Sequence, residues 1–288
     1  MKRMDRRWSQ FTAEDIQKIA DATPVEKYTY TWLSRGDYMP PFSERLADKE
    51  ITILLDDGER YFYRFDGKNE LSWSGQDSVM HEEYYEALEA PGEEEILMVQ
   101  HYCRASAPPR AHTLVLDLKT GLVTMCIATV GVPQSAREVG RVFRFGIMDG
   151  VEDCGERHGF TNELVGKAVL WTYHEKEQVK VKHIYTAPLY YTYIMTGENN
   201  SSWVASNPAD YVKINDHMYI FSFVEERQAG TQGFFLINME LLLDVGSFFG
   251  VQAHGMECCT FGAKGELSSP YGMELCKLNR KSVKGRMT

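Results

Sequence analysis

Two ionisable side chains share one face of a predicted strand in the second half of the chain. In the segment VKVKHIY, the alternation of a β-strand places His183 and Tyr185 on the same side as the two valines before them. An imidazole can accept or donate a proton near neutral pH, and a phenol can orient or protonate a bound group. We therefore predict His183 and Tyr185 as catalytic residues, with His183 as the general base or acid.

Aromatic side chains follow the same alternation on neighbouring predicted strands. The residues that share a face are, on one strand, Tyr191 and Tyr193, and on another, Tyr219, Phe221, Phe223 and Glu225. Aromatic walls with a few convergent polar groups suit a pocket for a flat organic molecule. We therefore predict that these six residues bind a small aromatic or polycyclic molecule inside a barrel.

The same side chains also have a purely structural interpretation. A histidine on an apolar strand face is more often a hydrogen-bonded core residue than a catalyst, and most of the 16 tyrosines must contribute to packing. Glu225 lies at a strand end, where a glutamate is commonly solvated. In the first half, Gln100 and His101 alternate, so one of them points inward. The position of His112 at a strand edge favours the surface.

Strands separated by turn signals must position these side chains. From Ile51 onward, apolar residues alternate in short segments divided by Asp-Gly and Thr-Gly steps, which supply the positive φ angles of tight hairpins. A meander of such strands favours an antiparallel sheet that closes into a barrel and so loses its edges. Before them, Thr12 and Asp15 predict a capped short helix through about Ala22.

Three segments interrupt this alternation. We expect residues 134–153 to connect the two halves, because they carry Arg and Gly without a clear period. Residues 199–207 are polar and predict a loop. The tail at 255–288 has no clear pattern, and we expect it to add a strand around 273–278 or to strap the barrel.

The second half of the chain repeats the pattern of the first half. Residues 112–132 and 231–251 align without a gap, and both have the pattern strand, short turn, strand. Upstream segments repeat in the same order: 85–102 with 211–227, and 70–75 with 192–197. A period of this length excludes a solenoid of short repeats and predicts two similar domains, at 1–147 and 148–288.

Composition and charge restrict the class of protein. The 288 residues are 43% hydrophobic and 25% charged, as in ordinary globular proteins, and the length suffices for two cores. The formal net charge of −10 argues against a nucleic-acid partner, because such proteins cluster Lys and Arg. There is no secretory signal and no apolar run near the roughly 20 residues that span a bilayer. We therefore predict a cytoplasmic protein without membrane contact.

The cysteines and histidines show no metal-binding spacing. The six cysteines include no CxxC pair, and the eight histidines are scattered. The vicinal Cys258 and Cys259 could oxidise or hold a soft metal, although free cysteines are usually small core residues. No nucleophile elbow, glycine-rich phosphate loop or HExxH pattern occurs, so we predict neither a metal nor a cofactor.

Six segments between positions 51 and 250 follow the pattern of a known family. They include ITILLDDGERYFYRFDGKNELSW from Ile51, HTLVLDLKTG from His112 and VKHIYTAPLYYTY from Val181. The most specific are HIY at 183–185 and FFLINMELL at 234–242. With these segments, in this order, the chain resembles the molybdenum cofactor biosynthesis F family, written MoaF.

The resemblance implies two lipocalin-like, or calycin, β-barrel domains, in agreement with the strand pattern. It also implies a connection with molybdenum cofactor synthesis. Among the candidate residues, His183 and Tyr185 match a family motif. Where the family tends to have Trp in the next strand, this chain has Tyr193, which predicts a pocket of different size or polarity.

Three classes of function are open for such a protein. The first is binding of, or a reaction on, a small aromatic or polycyclic molecule in the C-terminal barrel. Such a reaction would be a cofactor-free isomerisation, decarboxylation or lyase step, by analogy with phenolic acid decarboxylases on related barrels. The second is a non-catalytic carrier of a pterin, for which Lys180, Lys182 or Arg227 must offset the acidic charge. The third is a structural or partner-binding role with filled barrels. A homodimer is left open.

Overall fold

Two closed antiparallel β-barrels, each of eight strands, follow one another along the chain, and the predicted fold class is confirmed. The computed structural model describes residues 13–22, 36–130, 139–175, 179–196, 203–225, 230–252 and 255–269. Within these ranges the chain is mainly β, with one short helix, α1 (Ala13–Ala22). The predicted short helix is therefore confirmed, while its Thr12 cap lies outside the described residues.

The first barrel is a continuous meander in which each strand pairs with the next and the last with the first. Its strands are β1 Glu50–Leu55, β2 Arg60–Asp66, β3 Glu70–Ser74, β4 His81–Ala90, β5 Glu93–Cys103, β6 Arg110–Asp117, β7 Leu122–Val130 and β8 Val139–Met148. The barrel closes between β1 and β8, where Leu54 pairs with Ile147. A closed barrel leaves no unpaired strand edge.

The second barrel repeats this topology and adds a short outer strand. Its strands are β9 Gly159–Phe160, β10 Ala168–His174, β11 Val179–Ala187, β12 Tyr190–Thr196, β13 Trp203–Lys213, β14 Met218–Glu225, β15 Thr231–Asn238, β16 Leu243–Gln252 and β17 Gly255–Leu267. Strands β10 to β17 form the barrel, which closes because β10 pairs with β17. Strand β9 pairs with the end of β13, outside the ring.

The repeat found in the sequence falls on equivalent strands. Residues 112–132 include most of β6 and all of β7, and residues 231–251 include β15 and nearly all of β16. These are the sixth and seventh strands of the two barrels. The domain boundary between residues 147 and 148 stays a prediction, and β8 ends next to it at Met148.

Two segments that we expected to lack strands contain one. Within 134–153, expected to be a connection, Val139–Met148 forms β8 and closes the first barrel. Its alternation is concealed because the outward Phe143 and Phe145 pack on the second barrel, while the inward face alternates Gly140, Val142, Arg144 and Gly146 and has few large apolar side chains. The loop expected at 199–207 overlaps β13, and the tail contains β17. The strand expected at 273–278 lies outside the described residues.

The barrels pack against each other through the outer faces of strands that are apolar on both sides. In β15, Phe235 and Ile237 fill the second barrel, whereas Phe234 and Leu236 contact the first. The residues that form this contact from the first barrel include Leu88, Met98, Val115, Cys126 and Val139, and those from the second include Val212, Ile220, Phe249, Val251 and Cys258. All eight residues of β15 are therefore buried.

A buried ion pair also joins the two barrels. Arg141 on β8 donates from Nε and Nη2 to Asp210 on β13, at 2.7 and 2.6 Å. The Arg141 side chain is 7% exposed and that of Asp210 27%. Both donors of the one guanidinium converge on Asp210 Oδ2, which restricts the direction of approach as well as the distance.

Arg141→Ala is expected to lower the free energy of unfolding by about 2–3 kcal/mol. The loss falls below the roughly 3–5 kcal/mol of a fully buried pair because water reaches Asp210. Urea unfolding would measure it. The control is Arg157→Ala, which removes ion pairs to Asp153 and Asp56 whose carboxylates are about half exposed, with an expected loss below about 1 kcal/mol. Equal losses for the two variants would contradict the prediction.

A segment before β1 runs from the second barrel to the first. Asp37 N donates to Tyr173 O at 2.8 Å, and Ser43 N donates to Ala87 O at 2.8 Å. The segment passes so close to β17 that a Cβ on Gly262 would lie 2.7 Å from Met39 Cα. Glycine is therefore required at this crossing. Residues 36–43 tie the two barrels together ahead of the first strand.

Candidate functional site

All eight residues that we predicted as site residues lie in the second barrel and point toward its interior. Six of them belong to one buried aromatic cluster: Tyr185, Tyr191, Tyr193, Tyr219, Phe221 and Phe223. The His183 ring packs beside those of Tyr191 and Phe221, with centroids 5.5 and 5.4 Å away. Glu225 accepts a hydrogen bond from Tyr193 Oη at 3.0 Å. Their placement follows the predicted alternation, and their roles stay predictions.

The predicted residues do not all meet at one point. Tyr219 donates to Glu163 at 2.7 Å at one end of β14, while Glu225 lies at the opposite end of that strand. His183 and Tyr185 are in contact, but their ring centroids are 6.4 Å apart with an edge-on geometry. The structure therefore gathers His183, Tyr185 and Tyr191 in the middle and separates Tyr219 from Glu225.

His183 and Tyr185 are both buried and electrically neutral at pH 7. Burial lowers the pKa of His183 to about 3 and raises that of Tyr185 well above its usual value. Among the described residues, His183 Nδ1 and Tyr185 Oη make no hydrogen bond of normal geometry. A neutral imidazole can accept a proton, but only from a molecule that reaches this interior.

Sequence reasoning missed a carboxylic acid in the same interior. Asp244 on β16 is 1% exposed, and neither oxygen has a side-chain partner within the described part of the chain. Burial raises the pKa of Asp244 well above its usual value, and the residue lies near Tyr173 and Tyr185. The missed signal was the alternation of β16, which places Asp244 on the same face as the inward Phe248.

Aromatic rings fill the centre of the second barrel. The centroids of Tyr191 and Phe221 are 4.6 Å apart, and Phe261 lies 4.8 Å from Phe248 and 5.0 Å from Phe235. Such distances are those of rings in direct contact. A ligand that reached His183 would have to displace some of these rings.

The first barrel contains an open cavity of about 570 Å³ at one end. One wall carries the rings of Tyr61, Trp73 and His112, and the rim carries Arg110 and Arg144. The volume lies within the range of roughly 300–1,000 Å³ that small-molecule sites occupy. Apolar surface beside a few charged groups is the usual composition of such a site.

The arginines around this cavity differ in whether an acidic side chain pairs with them. Arg144 contacts Asp57 at 2.8 Å and also pairs with Glu59. Arg141 is paired with Asp210, as described above. Arg110 has no ion-pair partner among the residues that the structure describes. Within the described residues its guanidinium is therefore a positive charge without an ion pair, and an anionic ligand group is a suitable counterion.

Below the aromatic wall, three side chains with metal-ligating atoms come together: His101, Cys103 and His112. One ligand atom from each lies within 4.8 Å of the others. The prediction that His112 favours the surface is wrong, since it is 3% exposed and its Nδ1 lies 3.1 Å from Tyr63 Oη. The eleven-residue spacing between His101 and His112 does not reveal the cluster. The two residues come together only through the register of β5 and β6, which pairs them directly.

Burial determines the protonation of this cluster. It lowers the pKa of His101 to about 3 and that of His112 well below its usual value, so both imidazoles are neutral at pH 7. It also raises the pKa of the Cys103 thiol. Nearby, Glu83 accepts from Arg104 N at 2.9 Å, and burial raises the pKa of Glu83 to about 7.

Two family models match the chain, one for each barrel. The model of the MoaF N-terminal domain matches residues 29–132, and that of the MoaF C-terminal domain matches residues 158–269. The chain belongs to the MoaF family. Among curated proteins, no match to the chain was found.

The two MoaF domains differ in their interiors. The N-terminal match includes β1 to β7, with the cavity wall and the His101–Cys103–His112 cluster, whereas the C-terminal match includes the aromatic-filled barrel. Strand β8 lies outside both matches, although it closes the first barrel and lines the cavity. The relation of MoaF domains to lipocalin-like barrels stays a prediction. No described helix combines the length and the hydrophobicity that crossing a lipid bilayer requires.

The vicinal cysteines of the MoaF C-terminal domain do not face each other. Cys258 points into the contact between the barrels, and Cys259 points into the second barrel. The five described cysteines are free thiols. Successive residues of a strand alternate in direction, so this pair cannot bind one metal ion together.

Proposed function

We propose that this MoaF protein binds a small, planar, aromatic molecule with an anionic group in the cavity of the first barrel. The observation that carries the proposal is an aromatic wall beside an arginine that has no ion-pair partner among the described residues. Tyr61 and Trp73 offer ring surfaces, and Arg110 offers a guanidinium at the same cavity. Flat rings stack on such surfaces, while a guanidinium binds a carboxylate or phosphate through two parallel hydrogen bonds.

This proposal keeps the predicted ligand class but changes its location. The sequence predicted the aromatic or polycyclic molecule in the C-terminal barrel, and that location stays a prediction. The first barrel is preferred because its cavity is already open, whereas a ligand in the second barrel must displace rings in direct contact. Displacing packed core side chains costs stability, since protein interiors have little free volume.

The family resemblance suggests a chemical class for the probe. It implies a connection with molybdenum cofactor synthesis, in which a pterin is the planar group. Pterin-6-carboxylate combines a flat polar ring with one carboxylate, and so matches the aromatic wall and Arg110. We also propose a cytoplasmic location, which the five free thiols support.

Arg110→Ala is expected to weaken binding of pterin-6-carboxylate about 10- to 100-fold. This corresponds to the roughly 1.5–3 kcal/mol of one charge-assisted hydrogen-bonded contact. Quenching of the probe's fluorescence would give the dissociation constants. The control is Arg60→Ala. Arg60 lies on the face of β2 opposite to that of Tyr61, and its guanidinium pairs with Asp149 outside the cavity. Equal affinity of the Arg110 variant and the unmodified protein would contradict an anion contact in the first barrel.

A second candidate is a proton-transfer reaction in the second barrel, favoured by buried polar side chains that make no side-chain hydrogen bond of normal geometry within the described residues. The His183 imidazole and the Tyr185 phenol are neutral at pH 7, and burial raises the pKa of the Asp244 carboxyl. These groups could exchange protons with a substrate in an isomerisation, decarboxylation or lyase step. The double variant His183→Phe, Tyr185→Phe distinguishes the two barrels. Probe binding that survives this variant and fails with Arg110→Ala supports the first barrel, and the opposite pattern supports the second.

A further inference from the structure

The His101–Cys103–His112 cluster has the composition of a transition-metal site. Two strands supply it, β5 with His101 and Cys103 on one face and β6 with His112 directly opposite. All three side chains are at most 3% exposed. Imidazole nitrogen and thiolate sulfur are the ligands that Zn²⁺ and similar borderline metals take most often.

Packing alone leaves the cluster with an unsatisfied atom. His101 Nε2 is fully buried and has no hydrogen-bond partner within the described residues. The contact between His101 Nδ1 and Cys103 Sγ is 4.0 Å, at the outer limit for a weak sulfur hydrogen bond. Buried polar atoms normally make hydrogen bonds. A buried nitrogen without one, next to two other metal-ligating side chains, therefore requires an explanation.

We propose that His101, Cys103 and His112 bind one Zn²⁺-like divalent metal ion at the floor of the cavity in the first barrel. The three ligands correspond to the open type of zinc site, in which three protein ligands leave a fourth position for water or another molecule. His112 belongs both to the cluster and to the cavity lining. The cavity therefore gives the ion its route of entry and gives the fourth ligand its space.

The geometry needs only a small contraction. Bonds of about 2.0–2.1 Å to nitrogen and about 2.3 Å to sulfur place the atoms of a tetrahedral site roughly 3.3–3.7 Å apart. The ligand atoms here lie within 4.8 Å of one another. Side-chain rotations that move these atoms by about 1 Å therefore suffice to reach the distances of a tetrahedral site. No backbone strand needs to move for this, because the three residues already occupy neighbouring positions of one sheet.

Tyr63 provides the outer contact that metal-binding histidines usually have. Its Oη lies 3.1 Å from His112 Nδ1. When Nδ1 carries the proton and donates it to this hydroxyl, the Nε2 lone pair of His112 is available to a metal. Such a partner fixes both the tautomer and the orientation of the ring.

The test is metal binding by the full-length protein after removal of metal with a chelator. Isothermal titration with Zn²⁺ is expected to give one ion per chain, and Co²⁺ is expected to give the strong near-ultraviolet absorption of a thiolate–metal bond. Cys103→Ser should abolish that absorption, and Cys103→Ser and His101→Gln should each weaken Zn²⁺ binding at least about tenfold.

Two buried residues outside the cluster serve as matched controls. Cys126 is 1% exposed and contacts Gln232, and His158 is 3% exposed with an unpartnered Nε2. Cys126→Ser and His158→Gln are expected to keep the stoichiometry and the cobalt absorption. The exposed Cys154 is replaced by Ser in every protein compared, so that a surface thiol cannot mimic the site.

The outcomes also separate metal binding from folding and from the proposed ligand site. Zn²⁺ should raise the Tm of the Cys154→Ser reference protein and raise that of its Cys103→Ser variant by less, because a ligand stabilises only the state that binds it. Zn²⁺ binding that Cys103→Ser leaves intact, or no binding at micromolar Zn²⁺, would overturn the metal site. Arg110→Ala should retain the metal, so a failure of probe binding leaves this result unaffected.

Discussion

Phe221→Ala is expected to lower the free energy of unfolding of the second barrel by about 3–5 kcal/mol, the range for removing a fully buried Phe. Phe221 is fully buried, and its ring contacts those of Tyr185, Tyr191, Tyr211 and Phe235. Truncation removes the dispersion contacts with all of these neighbours and leaves a hole that closely packed rings cannot refill.

Urea unfolding followed by tyrosine and tryptophan fluorescence would measure this loss. The control is Phe42→Ala, because Phe42 is 43% exposed and its truncation should cost less than about 1 kcal/mol. A loss for Phe221→Ala as small as that of the control would mean that the second barrel is loosely packed. In that case the first barrel would no longer be preferred over the second as the ligand site.

Asp244→Asn is expected to stabilise the protein at pH 7, by an amount that shrinks as the pH falls toward 4. Burial holds the pKa of the folded carboxyl above that of the unfolded one. Below about pH 3.8 both states keep the proton. Above it, the unfolded state ionises first and the folded state ionises only at a higher pH, so between the two pKa values stability declines by up to about 1.4 kcal/mol per pH unit. An amide has no proton to lose, so the variant escapes this penalty.

The measurement is urea unfolding of both proteins between pH 4 and pH 8. Asp216→Asn serves as the control, since its carboxyl is fully exposed, and its curve should parallel that of the unmodified protein. A constant difference across the pH range for Asp244→Asn would contradict a buried, protonated carboxyl. The same variant tests the second candidate function, because Asp244 is then unable to donate a proton.

The inner face of the second barrel could be predicted from the sequence because its strands obey a simple rule. His183 and Tyr185, or Phe221 and Phe223, are two positions apart on strands with buried partners, and period-two alternation alone assigns them to one face. The closed barrels follow from many such strands in meander order.

The parts that could not be predicted depend on contacts between strands or between barrels. The sequence does not reveal β8 because its outward Phe143 and Phe145 pack on the second barrel, while two of its inward positions are glycines, so neither face shows a simple apolar alternation. The position of His112 near the start of a strand predicts exposure, whereas its pairing with His101 across β5 and β6 buries it. The two barrels also differ in how completely side chains fill their interiors. The alternation of apolar residues along a strand does not predict this difference.

The contact between the two barrels uses the same strands from each. The fourth to eighth strands of the first barrel, β4 to β8, meet the fourth to eighth of the second, β13 to β17. Matching surfaces on both sides are what a symmetric dimer of single-barrel subunits presents. In a homodimer every substitution appears in both subunits, whereas in one polypeptide each half can change independently. One barrel can then keep a filled interior that supports the fold, while the other keeps an open cavity.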